Sequence, residues 1–168
     1  MTEAMNNLLT RRSIRRYKDT QVPDDLLDQV LEAGLYAPTG MNRQNVVMVA
    51  VRDKATRDQL SRMNAAVMGT TNDPFYGAPC VIVVLGDASN YPVVENGSLV
   101  LGNLMNAAYE AGLGSCWIHR ARQMFETEEG KELLRKWGLP DTLIAWATAS
   151  WAIPMKPRKP NPDSPAGS

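Results

Sequence analysis

The sequence predicts an α+β fold in which helices flank a central mixed sheet. Runs of apolar, β-branched residues have the length of strands, and they alternate with longer segments in which leucine and methionine recur at helical spacing. Turn-forming residues separate most of these segments. The chain has 168 residues, so we expect a single domain over residues 1–168 that ends in a proline-rich tail over 154–168.

The first third of the chain predicts two helices and one strand. A short helix ends at Thr10, and a second begins at Pro23, whose fixed φ suits the start of a helix. Pro38 ends this second helix. Residues 46–51 form an almost unbroken apolar run, which predicts a strand covered on both faces.

The middle third predicts a helix, a strand and a long helix. Asp53 is expected to cap the first helix, which the turn residues 69–74 end. Residues 80–85 predict a buried strand, and residues 93–111 predict a helix that ends at Gly112. Small residues crowd the middle of this long helix and let another backbone approach closely, either in the core or at a dimer interface.

The last third predicts a strand, a helix and a strand. Residues 113–118 and 143–153 have the apolar pattern of strands. Residues 127–137 predict the helix, with acidic residues early and basic residues late, and Gly138 and Pro140 stop it. The alternation of all these elements places a sheet between layers of helices.

Composition and charge narrow the classes of function. Eighteen basic and eighteen acidic residues give a net charge of zero, so no long-range field favours nucleic acid or an anionic membrane. The apolar runs fall far short of the ~20 residues that span a bilayer, and the start of the chain lacks a secretory signal. Cys80 and Cys116 have no metal-ligand spacing, so we expect buried free thiols in a cytoplasmic protein.

Two common nucleotide-binding motifs are missing from the sequence. It contains neither Gly-x-Gly-x-x-Gly nor Gly-x-x-x-x-Gly-Lys-Ser/Thr. A bound cofactor therefore needs a different cradle. His119 is the only histidine, so we expect no histidine-rich metal site.

Two basic clusters, residues 11–16 and residues 156–159, stand near opposite ends of the chain. Guanidinium forks, ammonium groups and a short hydroxyl such as that of Ser13 suit a phosphate monoester. Each cluster alone is explained at least as well by solvated surface charge. Taken together, the two clusters suggest one anion site.

A third polar segment covers residues 37–44, between a predicted helix and a predicted strand. Its proline and glycine break the helix, and its amides and hydroxyl can hydrogen-bond a heterocycle edge or a sugar-alcohol chain. A helix-terminating loop that satisfies its own backbone explains these residues about as well.

Four segments together resemble the FMN-dependent nitroreductase family in order and spacing. They are Arg-Arg-Ser-Ile-Arg at 11–15, Ala-Pro-Thr-Gly-Met-Asn-Arg-Gln at 37–44, Gly-Leu-Gly-Ser-Cys-Trp-Ile at 112–118 and Lys-Pro-Arg-Lys-Pro at 156–160. The resemblance implies a nitroreductase-like fold, an intertwined homodimer with two composite sites, FMN as cofactor and NADH or NADPH as electron donor. Nitroaromatics, quinones or other planar small molecules would accept the electrons by a ping-pong mechanism.

The resemblance also implies which residues bind the cofactor. The first and last segments hold the FMN phosphate, the loop contacts the ring and ribityl chain from the partner subunit, and backbone amides near the end of 112–118 face N5 and O4. These cofactor-binding residues are Arg11, Arg12, Ser13, Arg15, Pro38, Thr39, Asn42, Gln44, Ile118, His119, Lys156 and Arg158. Arg15 is expected to stabilise negative charge at the N1 and C2 carbonyl edge, and FMN itself carries the chemistry, so we expect no catalytic residue from the protein.

Departures from the family pattern keep alternatives open. Asn45-Val46 stand where many members have Pro-Trp, and His119 stands where glycine is common. A noncatalytic flavin-binding protein, or a relative that uses reduced flavin and oxygen for fragmentation or dehalogenation, is the alternative function. Soft side chains are candidates for a permissive pocket wall, with core packing as the alternative for each. These are Met41, Met63, Met68, Phe75 and Tyr76.

Overall fold

Four β-strands form one sheet in a computed structural model that describes residues 1–89 and 91–155. In chain order the strands are β1 (Val46–Val51), β2 (Cys80–Asp87), β3 (Gly114–Ile118) and β4 (Leu143–Ala152). Across the sheet they lie in the order β1, β2, β4, β3, and each neighbouring pair is antiparallel. Within the described residues, parallel pairing is confined to an isolated bridge between Ser13 and Ser115. The predicted α+β class is confirmed, and the sheet is mixed through this bridge rather than through its main strands.

Helices cover both faces of the sheet. They are α1 (Glu3–Thr10), α2 (Asp24–Leu35), α3 (Lys54–Met68), α4 (Val93–Glu110), α5 (Ala121–Glu126) and α6 (Glu128–Lys136), and one 3₁₀ turn, Gly40–Asn42, precedes β1. On β2, Ile82 and Val84 pack with α2 and α4, whereas Val81 and Val83 pack with α3, α5 and α6. Because successive side chains of a strand point to opposite faces, a strand buried on both faces must be apolar throughout.

The first strand is less covered than its sequence predicts. The bounds of β1 match the predicted 46–51, but five of its six residues are only half-buried. It lies at an edge of the sheet, where one side of the backbone has no neighbouring strand among the described residues. The prediction of a strand covered on both faces is confirmed, although the cover is incomplete. Val46, Met48 and Ala50 pack on the side of α2 and α4, and Val47 and Val49 pack on the side of α3, α5 and α6.

The predicted helix over 127–137 is α6 in the structure, and a shorter helix precedes it. The shorter one, α5, was not predicted, and Thr127 lies between the two. Its hydroxyl donates to the Met124 carbonyl at 2.6 Å and accepts from the Gly130 amide at 3.1 Å, so one side chain closes α5 and caps α6. At Gly130 the backbones are so close that a Cβ would lie 2.4 Å from the Met124 carbonyl oxygen.

Other local predictions agree with the structure. Asp53 Oδ2 accepts a hydrogen bond from the Thr56 amide at 2.8 Å, which confirms the predicted cap of α3. Gly69 ends that helix with a left-handed φ of 72°. Cys80 and Cys116 are buried free thiols, as predicted. Among the described residues, no helix combines the length and apolarity that crossing a membrane requires.

Candidate functional site

The first basic cluster lies along the outer edge of β3. After α1 ends, Ser13 bridges to Ser115, and the Ile14 amide donates to the Ser115 carbonyl at 2.9 Å. A few residues later the Lys18 amide donates to the Ile153 carbonyl at 2.9 Å. The segment is therefore held at one end by β3 and at the other by the chain that leaves β4.

The second basic cluster follows directly after a residue that contacts the first. The Met155 amide donates to the Arg16 carbonyl at 3.2 Å. Lys156 and Arg158 lie outside the described residues, as do the other residues of 156–168. The described contact brings the chain as far as Met155 to the side of the first cluster.

Arg11 and Arg12 differ sharply although they are adjacent. Arg12 Nη1 donates to the carbonyls of Leu9, at 2.9 Å, and Arg11, at 2.7 Å, so it satisfies the end of α1. Arg11 Nη1 is buried and has no hydrogen-bond partner within the described part of the chain. A buried cationic nitrogen without a partner is the kind of group that an anion would satisfy.

Ser13 and Arg15 lie close to the buried Cys116 thiol. Burial raises the pKa of Cys116, while the nearby Arg15 guanidinium, the Ser13 hydroxyl and Arg11 act in the opposite direction. Neither Arg11 nor Arg15 forms a salt bridge with a carboxylate in residues 1–89 and 91–155. The site therefore gathers positive charge that no described acidic group neutralises.

The end of β3 turns one backbone amide toward the same edge. Thr148 Oγ1 donates to the Ile118 carbonyl at 3.1 Å, so this carbonyl points toward β4. Because C=O and N–H of a trans peptide point in opposite directions, the N–H of His119 points away from β4. The next peptide is also fixed, since Asn64 Nδ2 donates to the His119 carbonyl at 2.8 Å. Of the predicted pair, Ile118 is buried and His119 supplies the outward amide.

The predicted loop has a defined conformation at the start of β1. The Gly40 amide donates to Asn96 Oδ1 at 2.8 Å, and the Gln44 amide donates to Thr39 Oγ1 at 3.0 Å. Asn42 and Gln44 have left-handed φ values of 53° and 48°, which are uncommon outside glycine. The Thr39 hydroxyl therefore serves its own backbone in part, as the alternative interpretation expected. Pro38 and the side chains of Asn42 and Gln44 are exposed.

One subunit does not bring all the predicted residues together. The loop over 37–44 precedes β1 at one edge of the sheet, whereas Arg11, Ser13 and Arg15 lie beyond β3 at the other edge. At about 4.8 Å per strand, the two edges are roughly 14 Å apart. Within one chain the first cluster meets the end of β3, and the loop does not join them.

The candidate wall residues divide into two groups. Met63 is 7% exposed and Phe75 is fully buried, so both are core residues. Met41, Met68 and Tyr76 are 74%, 57% and 43% exposed. The guanidinium carbon of Arg15 lies 5.8 Å from the centre of the Tyr76 ring. Tyr76 therefore contacts a residue that is predicted to bind the cofactor.

Two buried asparagines that the sequence patterns do not predict hold the site's backbone. Asn64 fixes the turn after β3, where Arg120 Nε also donates to Asn64 Oδ1 at 3.0 Å, and Asn96 fixes the loop before β1. Asn64 and Asn96 are 0% and 2% exposed. Each lies on the apolar face of its helix; Asn64, for example, is one helical turn after Leu60. A polar residue at an apolar position of a helix is the sequence signal that would have identified them.

An ion pair between the buried Arg57 and the half-buried Asp73 supports the chain that carries Tyr76. Arg57, on α3, pairs with Asp73, which also accepts from Ser61 Oγ at 2.7 Å. Burial would raise the pKa of Asp73, but the bonds from Arg57, Ser61 and the amides of Gly77 and Phe75 outweigh it and hold this pKa below its usual value.

This ion pair makes the stability of the fold depend on pH in the acid range. A carboxyl whose folded pKa is depressed stabilises the fold fully above its unfolded pKa of about 3.9, and the contribution is lost as the pH falls toward the folded pKa. We expect Asp73→Asn to unfold more easily at pH 7 and to lose less stability than the wild type between about pH 5 and 3. Urea unfolding across this range measures both, and equal slopes for the two proteins would contradict the assignment.

Comparison with known proteins identifies the family. The nitroreductase family model matches residues 8–149. An Archaeoglobus fulgidus protein named NADH dehydrogenase/NAD(P)H nitroreductase is 32% identical over 160 residues, 92% of this chain and 87% of that protein. An FMN-dependent nitroreductase structure from Clostridium difficile is 28% identical, with a TM-score of 0.79 over 95% of this chain and 92% of that one. A nitroreductase with bound FMN from Bacteroides fragilis, 23% identical, shares the fold with a TM-score of 0.85 over 98% and 97%. By its sequence and by its fold, the chain belongs to the nitroreductase family.

Proposed function

We propose that the chain is an FMN-dependent oxidoreductase that uses NADH or NADPH to reduce nitroaromatics, quinones or similar planar acceptors. The observation that carries the proposal is Arg11, whose buried Nη1 has no partner in the described residues. Such a nitrogen destabilises the protein unless an anion binds it. FMN, which is bound in the Bacteroides fragilis relative, offers a phosphate. The residues present fit this cofactor.

The two ends of the chain would hold the FMN phosphate. Arg11 and the Ser13 hydroxyl lie on one side, and the chain from Met155 leads on to Lys156 and Arg158. Arg12 contributes less directly, because its guanidinium is bonded to the end of α1. A guanidinium fork and a hydroxyl match the geometry and charge of a phosphate monoester.

Two groups of this chain would act on the flavin ring. Arg15, which has no carboxylate partner among the described residues, would supply a cation that stabilises negative charge at the N1 and C2 carbonyl edge. The His119 amide, held outward by Thr148 and Asn64, supplies a donor toward N5 and O4. When bound, FMN supplies the redox chemistry, since it takes two electrons from the nicotinamide and passes them to the acceptor.

Donor and acceptor would use one place in turn, which gives ping-pong kinetics. Tyr76, Met41 and Met68 are exposed, and their aromatic and thioether surfaces accommodate varied flat molecules. Tyr76 and Met68 of one copy, with Met41 from the loop of a second copy, would form a wall that favours a broad range of planar acceptors. Both cysteines are free thiols, which suits a reducing compartment, and we place the enzyme in the cytoplasm.

A second copy of the chain would complete each site. The loop over 37–44 lies at the opposite edge of the sheet from Arg11, so a partner's loop is needed to reach the same flavin. Apolar side chains of α1 are available for the interface, since Met5, Leu8 and Leu9 are 49%, 59% and 53% exposed. We therefore propose a homodimer with two composite sites.

An anaerobic absorbance experiment tests the function. Purified protein supplied with FMN is treated with excess NADH and then NADPH. Flavin bands that bleach, and that return when a nitroaromatic or quinone is added, are the expected result. Bound flavin that neither nucleotide bleaches would instead identify a noncatalytic flavin-binding protein, and the absence of bound flavin would overturn the cofactor assignment.

A further inference from the structure

The turn over residues 73–78 is tied to α3 at both ends by one arginine. Arg57 pairs with Asp73 through Nη2, and its Nε donates to the Ala78 carbonyl at 2.8 Å. Its guanidinium also lies over the ring of Phe75, 5.5 Å from the ring centre. Arg57 is only 8% exposed, so this cation is shielded from water and its bonds hold the turn firmly.

The same turn restricts the backbone conformation of Tyr76. The amides of Phe75 and Gly77, on either side of Tyr76, donate to Asp73 at 3.0 and 2.7 Å, and the Tyr76 amide donates to the Asp73 carbonyl at 3.2 Å. Tyr76 has a left-handed φ of 56°, which a residue with a side chain adopts only where its surroundings impose it. Its direction is therefore set by Asp73 and Arg57.

That direction leads to Arg15. The Arg15 guanidinium carbon lies 5.8 Å from the centre of the Tyr76 ring, within the range of a cation–π contact. Arg15 is exposed and has no carboxylate partner among the described residues, so a long, flexible side chain would otherwise sample many orientations. The ring gives the guanidinium a preferred position beside β3.

We propose that Tyr76 is a positioning residue that holds the Arg15 guanidinium at the flavin, and that the Arg57–Asp73 pair fixes the turn that presents Tyr76. The inference rests on the proposed function for its effect on flavin, because Arg15 must be in place to stabilise negative charge at the N1 and C2 edge. It also makes a claim about the flavin-free protein, in which the Tyr76 side chain orders Arg15.

Two variants separate the ring from the hydroxyl. In flavin-free protein, the ¹⁵N relaxation of the Arg15 side-chain Nε–H group reports how ordered the guanidinium is. We expect an ordered group in the wild type and in Tyr76→Phe, and a mobile group in Tyr76→Leu. An Arg15 group that is equally mobile in wild type and Tyr76→Leu would overturn the proposal, whether or not FMN binds.

The flavin potential gives the second readout. Tyr76→Leu is expected to weaken the preference for reduced over oxidised FMN by three- to tenfold, about 15 to 30 mV for a two-electron couple, while Tyr76→Phe keeps the wild-type potential. In an Arg15→Met background, Tyr76→Leu should change nothing further. An equal effect in both backgrounds would show that Tyr76 acts independently of Arg15. Failure of the wild type to bind FMN would reject the proposed function and leave the relaxation result to decide the positioning.

A substitution in the turn tests whether the Arg57–Asp73 pair holds Tyr76 in place. Asp73→Asn keeps the size of the side chain but removes the charge that pairs with Arg57, and it should loosen Arg15 by the relaxation measurement as Tyr76→Leu does. Lys54→Met, at an exposed α3 residue that pairs with Asp58 instead, is the control and should leave Arg15 ordered. If Asp73→Asn folds and Arg15 stays fully ordered, the ion pair has no part in positioning Tyr76.

Discussion

Arg11→Met is expected to weaken FMN binding by about 10- to 100-fold. A hydrogen bond between charged groups contributes about 1.5–3 kcal/mol, and the variant removes the buried nitrogen that has no other described partner. Methionine keeps the apolar stem of arginine, so packing changes little. The flavin-free variant should be as stable as the wild type or more stable, because an unsatisfied buried donor is lost.

Titration of flavin-free protein with FMN measures the first effect, and thermal unfolding without FMN measures the second. Arg16→Met is the matched control, since Arg16 belongs to the same basic cluster but its side chain is exposed. It should change FMN affinity less than threefold. Equal losses in the two variants would show that the cluster attracts FMN by general charge alone.

Gly130→Ala is expected to destabilise the fold by about 3 kcal/mol, near the upper end of the usual range for overpacking. The new Cβ would lie 2.4 Å from the Met124 carbonyl oxygen and 2.5 Å from the Phe125 Cα. Both are backbone atoms, and their side chains are 0% and 3% exposed in the core. α5 and α6 must therefore separate before the methyl group fits.

Urea unfolding measures this loss, and the same substitution in α4 provides its control. A Cβ at Gly97 would lie 3.5 Å from the Trp146 Cβ, an ordinary contact. Gly97→Ala should leave stability unchanged or raise it by up to about 1 kcal/mol, as expected for alanine in a helix. A Gly130→Ala variant as stable as Gly97→Ala would mean that the two helices are not closely packed.

Most of the fold follows from local patterns in the sequence. Periodicity and turn residues predict every strand and the long helices, because these elements bury one face or both. The helix α5 was missed because its six residues give little periodic signal. In the sequence, Gly130 is only a residue of low helix propensity. The structure shows that it lets the backbones of α5 and α6 approach closely.

The candidate site was predictable to the level of segments. The family resemblance is confirmed, and it led to the segment that lies along β3. It does not distinguish Arg11 from Arg12, because adjacent residues of one type differ only in which group each side chain reaches. Nor does it find Tyr76 as a partner of Arg15, since that contact depends on a left-handed residue and on a pair joining α3 to a distant turn.

The pairing of the two ends of the chain has a consequence for biosynthesis. Tyr17 and Ser150 are 133 residues apart in sequence, yet their hydroxyls lie 2.9 Å apart. A growing polypeptide that has not yet released β4 from the ribosome cannot form this contact, although its amino-terminal arginines emerged first. Loading of the cofactor would therefore follow completion of the sheet, so that only fully synthesised and folded molecules retain it.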